Sequence, residues 1–130
     1  SIGIVWWNGS YTDTYASGSG LFEGDGNCYR IRRSQGDCAS CNAAELCLDL
    51  PLGGYSDWYL PSKYELNLMY ENIGQGNALG LGNVGGFALS YYWSSTEVDT
   101  NVAWKQIFNL GNQLTNDKIV NGYVRAVRAF

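Results

Sequence analysis

The 130 residues of this chain suffice for one domain, spanning 1–130, and are too few for two. The chain contains no His, which excludes imidazole bases, His-activated nucleophiles and His metal ligands. Its 8 Lys and Arg against 12 Asp and Glu give a net charge of −4, which argues against nucleic acid and anionic membranes as partners.

The chain opens at Ser1 without Met or a targeting segment, and reads as either a processed mature chain or a piece of a longer one. No apolar run approaches the ~18 residues of a membrane span, so no membrane insertion is expected. Five Trp, 10 Tyr and 4 Phe demand burial, and 17 Gly make the chain turn-rich, in the manner of extracellular binding domains.

Residues 2–7, β-branched and aromatic and bounded by Asn8-Gly9, predict a strand. Asn8-Gly9-Ser10 is also a glycosylation sequon, meaningful only in a secretory pathway that uses it. Residues 11–26, rich in Ser, Thr, Gly and Asp, predict a surface loop. Arg30, Arg32 and Arg33 form the one basic cluster and read as an exposed strand edge.

Four cysteines follow closely: Cys28, Cys38, Cys41 and Cys47. Two disulfides are the favoured reading, because a four-thiolate zinc site prefers two tight pairs and only Cys38–Cys41 has C-x-x-C spacing. Free thiols are the remaining alternative. Asn42-x-x-Glu45 is a capping box opening a helix from Ala43 to about Leu50, ended by Pro51. On such a helix Cys41 and Cys47 are separated by about 9 Å of rise, beyond disulfide reach. Cys28 is therefore expected to pair with Cys41 or with Cys47.

A second helix starts at Pro61-Ser62 with Glu65 completing another capping box. Leu66, Met69 and Ile73, broadened by Leu68 and Tyr70, give it a core-facing stripe that Gly74 ends. Within the glycine-rich stretch 74–86, residues 80–85 match the dinucleotide fingerprint G-x-G-x-x-G. A helix enters this loop where a strand is required, so nucleotide binding is not expected.

From Phe87 onward the reading is β. Strands are expected over residues 90–95, 102–108 and 123–130, with turns at Gly111-Asn112 and near Asn116-Asp117. Two short helices followed by a meander make the chain α+β, with a mostly antiparallel sheet.

Ser94-Ser95-Thr96-Glu97 places hydroxyls beside a carboxylate, but Ser and Thr at a strand end ordinarily bond to backbone. No catalytic residue is assigned, and no enzyme activity is expected. Loop carboxylates Asp13, Asp25, Asp99 and Asp117 leave Ca²⁺ as the alternative to an expectation of no cofactor and no metal, though no EF-hand loop is present.

Four segments together carry a resemblance: residues 53–62 with Glu65-Leu66, residues 85–97, Ala103-Trp104 with Phe108 and Gly111-Asn112-Gln113, and residues 123–130. In their order and spacing they resemble the C-terminal domain family of Legionella collagen-like proteins, a bacterial and phage family. The similarity is strongest over residues 43–130. Many members carry Arg where Tyr59 stands. The resemblance implies a C-type-lectin-like fold with paired N- and C-terminal strands. It implies core roles for Trp58 and Trp93 and a helix start at Leu60-Pro61-Ser62. Such folds bind ligands between the fold signatures, which here means Asp99, Asn101, Trp104, Gln106, Asn109, Asn112, Gln113 and Asn116. Amides beside an exposed aromatic suit neutral hydroxyls and peptide groups.

The functional expectation is an exported, non-enzymatic recognition or adhesion domain at a cell surface or on a virion, binding a glycan or a surface protein. One alternative is a subunit of an extracellular filament, with self-association as a trimer or polymer through residues 2–7 by strand addition. Another is a phage or retroelement-diversified receptor-binding tip.

Overall fold

The strongest local signal in the sequence, Ser62-x-x-Glu65, forms as expected. The Ser62 hydroxyl accepts from the Glu65 amide at 3.3 Å, and the Glu65 carboxylate accepts from the Ser62 amide at 2.9 Å. The computed structural model describes residues 3–38 and 40–129. Over these residues the elements run α1 (Glu23–Gln35), α2 (Ala43–Leu48), a 3₁₀ turn (Leu52–Gly54), α3 (Lys63–Ile73), β1 (Tyr91–Glu97), β2 (Val102–Ile107) and β3 (Gln113–Asp117). The chain is thus α+β with three helices and a three-stranded antiparallel sheet in the order β1-β2-β3.

The helix absent from the sequence reading is α1. It replaces both the end of the expected surface loop and the expected basic strand edge. Its buried positions, Gly24, Asn27, Cys28, Ile31 and Gln35, have helical spacing but are largely polar, so no apolar stripe marks them. Asn27 is satisfied at a distance: its side chain bonds Gly18 O at 2.5 Å and Ser95 Oγ at 3.2 Å. Acidic Glu23 and Asp25 in the first turn and basic Arg32 and Arg33 in the last complement the helix dipole.

Helix α2 begins at Asn42, whose side chain accepts from the Glu45 amide at 2.9 Å. Only half of the expected box is used. The Glu45 carboxylate, fully buried, instead takes both prongs of Arg32 at 2.8 and 2.6 Å and bolts α2 to α1.

Cys38 and Cys41 are joined by a disulfide with Cα atoms 5.5 Å apart, while Cys28 and Cys47 are buried free thiols. This corrects the expected pairing of Cys28. Cys41 precedes the helix cap, and a turn in which the Cys41 amide donates to Cys38 O at 2.9 Å brings the two together. Cys28 Sγ meanwhile accepts from the Leu60 amide at 3.2 Å.

Residues 4–6 form no strand. Ile4 and Gly122 exchange two backbone bonds at 2.9 Å, Val5 O accepts from Ala43, and the Trp6 amide donates to Lys118 O. With Ile4 opposite Gly122 the in-register partner of Trp6 would be Val120, and its bond to Lys118 instead breaks the ladder after one bridge. Ile2, at the start of the expected strand, lies outside the described residues. Pairing between the chain ends amounts to the Ile4–Gly122 bridge among the described residues. The expected final strand is likewise reduced to bridges, Tyr123 with Tyr92 and Val127 with Tyr59. Phe130 lies outside the described residues. The turn expected near Asn116-Asp117 falls one step later, since Gln113–Asp117 is β3 and the Val120 amide donates back to Asp117 O.

Alternation along β1 divides the core. Trp93 enters a cluster with Trp6, Cys28, Ile31, Ala43, Ala44, Cys47 and Leu60, whereas Tyr92 joins Leu66, Phe87 and Phe108 beneath α3. Met69 and Tyr70 pack on the second cluster, but Ile73, at the far end of the α3 stripe, is exposed. The register of β1 on β2 shifts between Trp93 and Glu97. Within that irregularity the Ser94, Ser95 and Thr96 hydroxyls bond Trp104 O, Pro61 O and Gly18 O at 2.8, 3.2 and 2.9 Å. The first ties β1 to β2, and the other two hold loops to the sheet.

The glycine-rich stretch after α3 carries no regular structure, and the Asn83 side chain brackets Phe87, accepting from its amide and donating to its carbonyl. No helix N-terminus follows the G-x-G-x-x-G motif, as the sequence reading expects.

Candidate functional site

Three of the eight residues expected to contact ligand converge where the first turn of α3 crosses the sheet. Trp104 and Gln106 lie two apart on β2 and so share a face; Gln113 on β3 is the register partner of Gln106. Lys63, the first residue of α3, extends its ammonium over the Trp104 ring at 3.4 Å from the centroid. Its backbone is fixed on both sides: its amide donates to Thr96 Oγ1 at 2.9 Å and its carbonyl accepts from Gln113 Nε2 at 2.7 Å. Ser19, Lys63, Tyr64, Asn67 and Gln113 line a cleft of about 250 Å³ at this crossing.

The amides divide between scaffold and cleft. Gln106 is fully buried and donates to Asn67 Oδ1 at 2.8 Å and Gly111 O at 3.0 Å, which makes it a brace between α3 and the β2–β3 hairpin. This corrects its expected role as a contact residue, because no atom of it reaches solvent. Gln113 uses its amide nitrogen on Lys63 O and Gln106 Oε1, and lines the cleft. Lys63 has no carboxylate partner among the described residues, and the Tyr64 ring is about half exposed.

The other five expected residues do not join this cleft. Asp99 caps the β1–β2 hairpin, accepting from the Asn101 and Val102 amides at 2.8 and 2.9 Å. Asn101 contributes its carbonyl to the Lys118 amide. Asn116 accepts from the Asp117 amide at 2.8 Å, and Asn112 gives its carbonyl to Ile107 in the β2–β3 turn. Asn109 is exposed in the same turn. Asp13, Asp99 and Asp117 bond neighbouring backbone amides, and Asp25 sits in the first turn of α1. Among the described residues no three His, Cys, Asp or Glu are grouped to hold a metal ion.

A second concavity was invisible in the sequence. Leu52, Tyr55, Trp58, Val127 and Arg128 line an apolar cleft of about 510 Å³. Trp58, read as core, is only partly buried: its ring N–H donates to Leu52 O at 3.0 Å and the ring forms a wall of the cleft. The core role implied by the resemblance holds for Trp93, which is wholly buried, and is corrected for Trp58. Arg128 stacks over Tyr55 at 3.5 Å and donates to Asp57 at 2.7 Å, and this bond holds the Asp57 carboxyl below the usual carboxylate range. Tyr59 sits beneath, its hydroxyl donating to Glu65 at 2.8 Å; burial first, then that carboxylate, pushes its phenol upward. On the opposite side of β2 from Trp104, burial lowers the Lys105 ammonium, which lies 3.6 Å over the Tyr91 ring.

No curated protein matches this chain. Among known families, the model of the Lcl C-terminal domain matches residues 2–128.

Proposed function

The chain belongs to the Lcl C-terminal domain family, and on that premise we propose that it is a non-enzymatic recognition domain of a bacterial surface protein, binding a glycan through the cleft lined by Lys63, Tyr64 and Gln113. The observation that carries this reading is the convergence of a held ammonium, a half-exposed tyrosine and the amide side chains of Asn67 and Gln113 on one fixed helix–sheet crossing. Such groups donate to and accept from sugar hydroxyls, and the Tyr64 ring offers a face for a pyranose. The family match extends over the first forty residues as well as the motifs in the last ninety. A C-type-lectin-like fold is the reading we attach to this architecture, supported by helices flanking an antiparallel sheet and by the Ile4–Gly122 bridge.

An extracellular or surface location is supported by the Cys38–Cys41 disulfide, which persists in oxidising compartments. Among the described residues no helix is long and apolar enough to cross a membrane. Recognition is favoured over filament assembly by strand addition, because Ile4, Val5 and Trp6 spend their backbone bonds within their own chain.

A glycan array probed with the whole chain tests the reading. Binding is expected, and Lys63→Met or Tyr64→Ala lowers affinity about tenfold with the circular dichroism spectrum unchanged. A folded chain that binds no glycan, or variants that bind like the parent, would overturn it.

A further inference from the structure

Helix geometry separates the three arginines that the sequence groups together. Arg32 turns inward to Glu45 and Asp49. Arg30 and Arg33, at i and i+3, stay together on the outer face, and neither has a carboxylate partner among the described residues although the chain carries 12 acids. They line a cleft of about 180 Å³ with Thr14, Tyr15 and Ser34. We propose that this cleft is a second binding site, independent of the cleft lined by Lys63, Tyr64 and Gln113, that takes one compact oxyanion group: a carboxylate, or a sulfate or phosphate ester.

The wall opposite the arginines is built to stay in place. Tyr15 adopts a left-handed backbone, φ 59°, which an L-residue with a large side chain rarely holds without support. Its amide donates to Asp13 Oδ1 at 3.0 Å and its carbonyl accepts from Ser17 at 2.9 Å. Thr14 is anchored by amide and hydroxyl to the buried Glu97 carboxylate, and the Ser34 hydroxyl donates to Thr14 O at 3.4 Å. The strained residue is 72% exposed and lines the cleft together with the two arginines. Gly26, one turn earlier, leaves room for Arg30: a side-chain carbon placed there would lie 3.3 Å from its guanidinium nitrogen.

Chemistry and size set the class of ligand. Guanidinium forks bond planar or tetrahedral oxyanions in pairs, and the Tyr15 hydroxyl can add a donor. The volume is below the roughly 300 Å³ at which pockets for whole drug-sized ligands begin, so it accommodates a charged group rather than a whole chain. The net charge of −4 further disfavours an extended polyanion.

The test is an NMR titration of the whole chain with sodium glucuronate, sodium sulfate and inorganic phosphate in turn, following the arginine Nε–Hε signals. At least one probe is expected to move Arg30 and Arg33 saturably in the millimolar range while leaving Arg32 in place. A preference for glucuronate identifies a carboxylate site, and a preference for sulfate or phosphate a tetrahedral-ester site. Arg30→Gln and Arg33→Gln, both exposed, are each expected to weaken binding about tenfold without changing the melting temperature. Unsaturable shifts that track ionic strength equally for all three probes, or unchanged affinity in the double variant, would overturn the proposal.

Discussion

Lys118 Nζ lies 2.5 Å from Glu97 Oε1, and the two side chains are 0% and 4% exposed. The ammonium is completed by Thr12 O and Thr100 O and lies 4.7 Å over the Trp6 ring, while the carboxylate accepts from Thr14. One buried pair therefore fastens the N-terminal loop, the end of β1 and the turn after β3. Replacing Lys118 with Met strands the Glu97 charge in the interior and is expected to cost about 3–5 kcal/mol in denaturant unfolding. Adding Glu97→Gln to that variant is expected to restore part of the loss. A single variant as stable as the parent would mean the pair is not buried.

Glu65 performs a related service for two helices. It accepts from Phe22 and Gly24 at the start of α1, from Ser62 at the start of α3, and from the Tyr59 hydroxyl. Phe22 has no side-chain cap of its own. Glu65→Ala leaves these donors unpaired and is expected to destabilise the domain by at least about 3 kcal/mol. Hydrogen exchange is expected to show faster opening of α1 as well as α3, and acceleration confined to α3 would contradict the shared cap.

Native thiol chemistry distinguishes the cysteine arrangement. Burial pushes the Cys28 thiol up to about 12 and raises Cys47 as well, so at neutral pH the reactive thiolate of Cys28 is depleted about a thousandfold. Maleimide is expected to label neither residue in the folded chain. Denaturant alone should yield two labels per chain, and denaturant with reductant four. Two labels appearing without denaturant would place these thiols at the surface.

Tyr15→Gly relieves a left-handed backbone and removes the exposed ring together. The variant is expected to be neutral or up to about 1 kcal/mol more stable, and at the same time weaker in oxyanion binding. Destabilisation in thermal melts would show that the ring contributes packing that outweighs the strain.

Acid should loosen the Tyr55–Trp58 cleft. Asp57 is held below its unfolded value by Arg128, so its contribution is present above about pH 4 and is lost as pH falls through the folded value. Tryptophan emission from Trp58, isolated by difference with Trp58→Phe, is expected to change over that range, and Asp57→Asn is expected to abolish the step.

Helix α3 was legible in the sequence because its cap, its stripe and its glycine stop are all local. The strands around Trp93 and Trp104 were legible from their composition and the Gly111-Asn112 turn. Helix α1 was not, because Asn27 and Gln35 occupy its buried face and their partners, such as Gly18, Ser95 and Ser10, lie outside the helix. Of the expected ligand residues, Gln113 lines a cleft, and Trp104 lies beneath the Lys63 ammonium beside it. Gln106, on the same face, became a brace, since strand alternation fixes the face of a residue and not what covers it.

The sequence by itself therefore determined what depends on neighbours in the chain: the α+β composition, the caps of α2 and α3, and the hairpin between β2 and β3. Tertiary structure alone decided which tryptophan is core and which is surface, that Cys28 and Cys47 stay unpaired, and which two of the three neighbouring arginines lack a carboxylate partner among the described residues. Those outcomes turn on contacts between separate elements, Cys28 with Leu60, Arg32 with Glu45 and Trp93 with Ile4, whose energies no local pattern records.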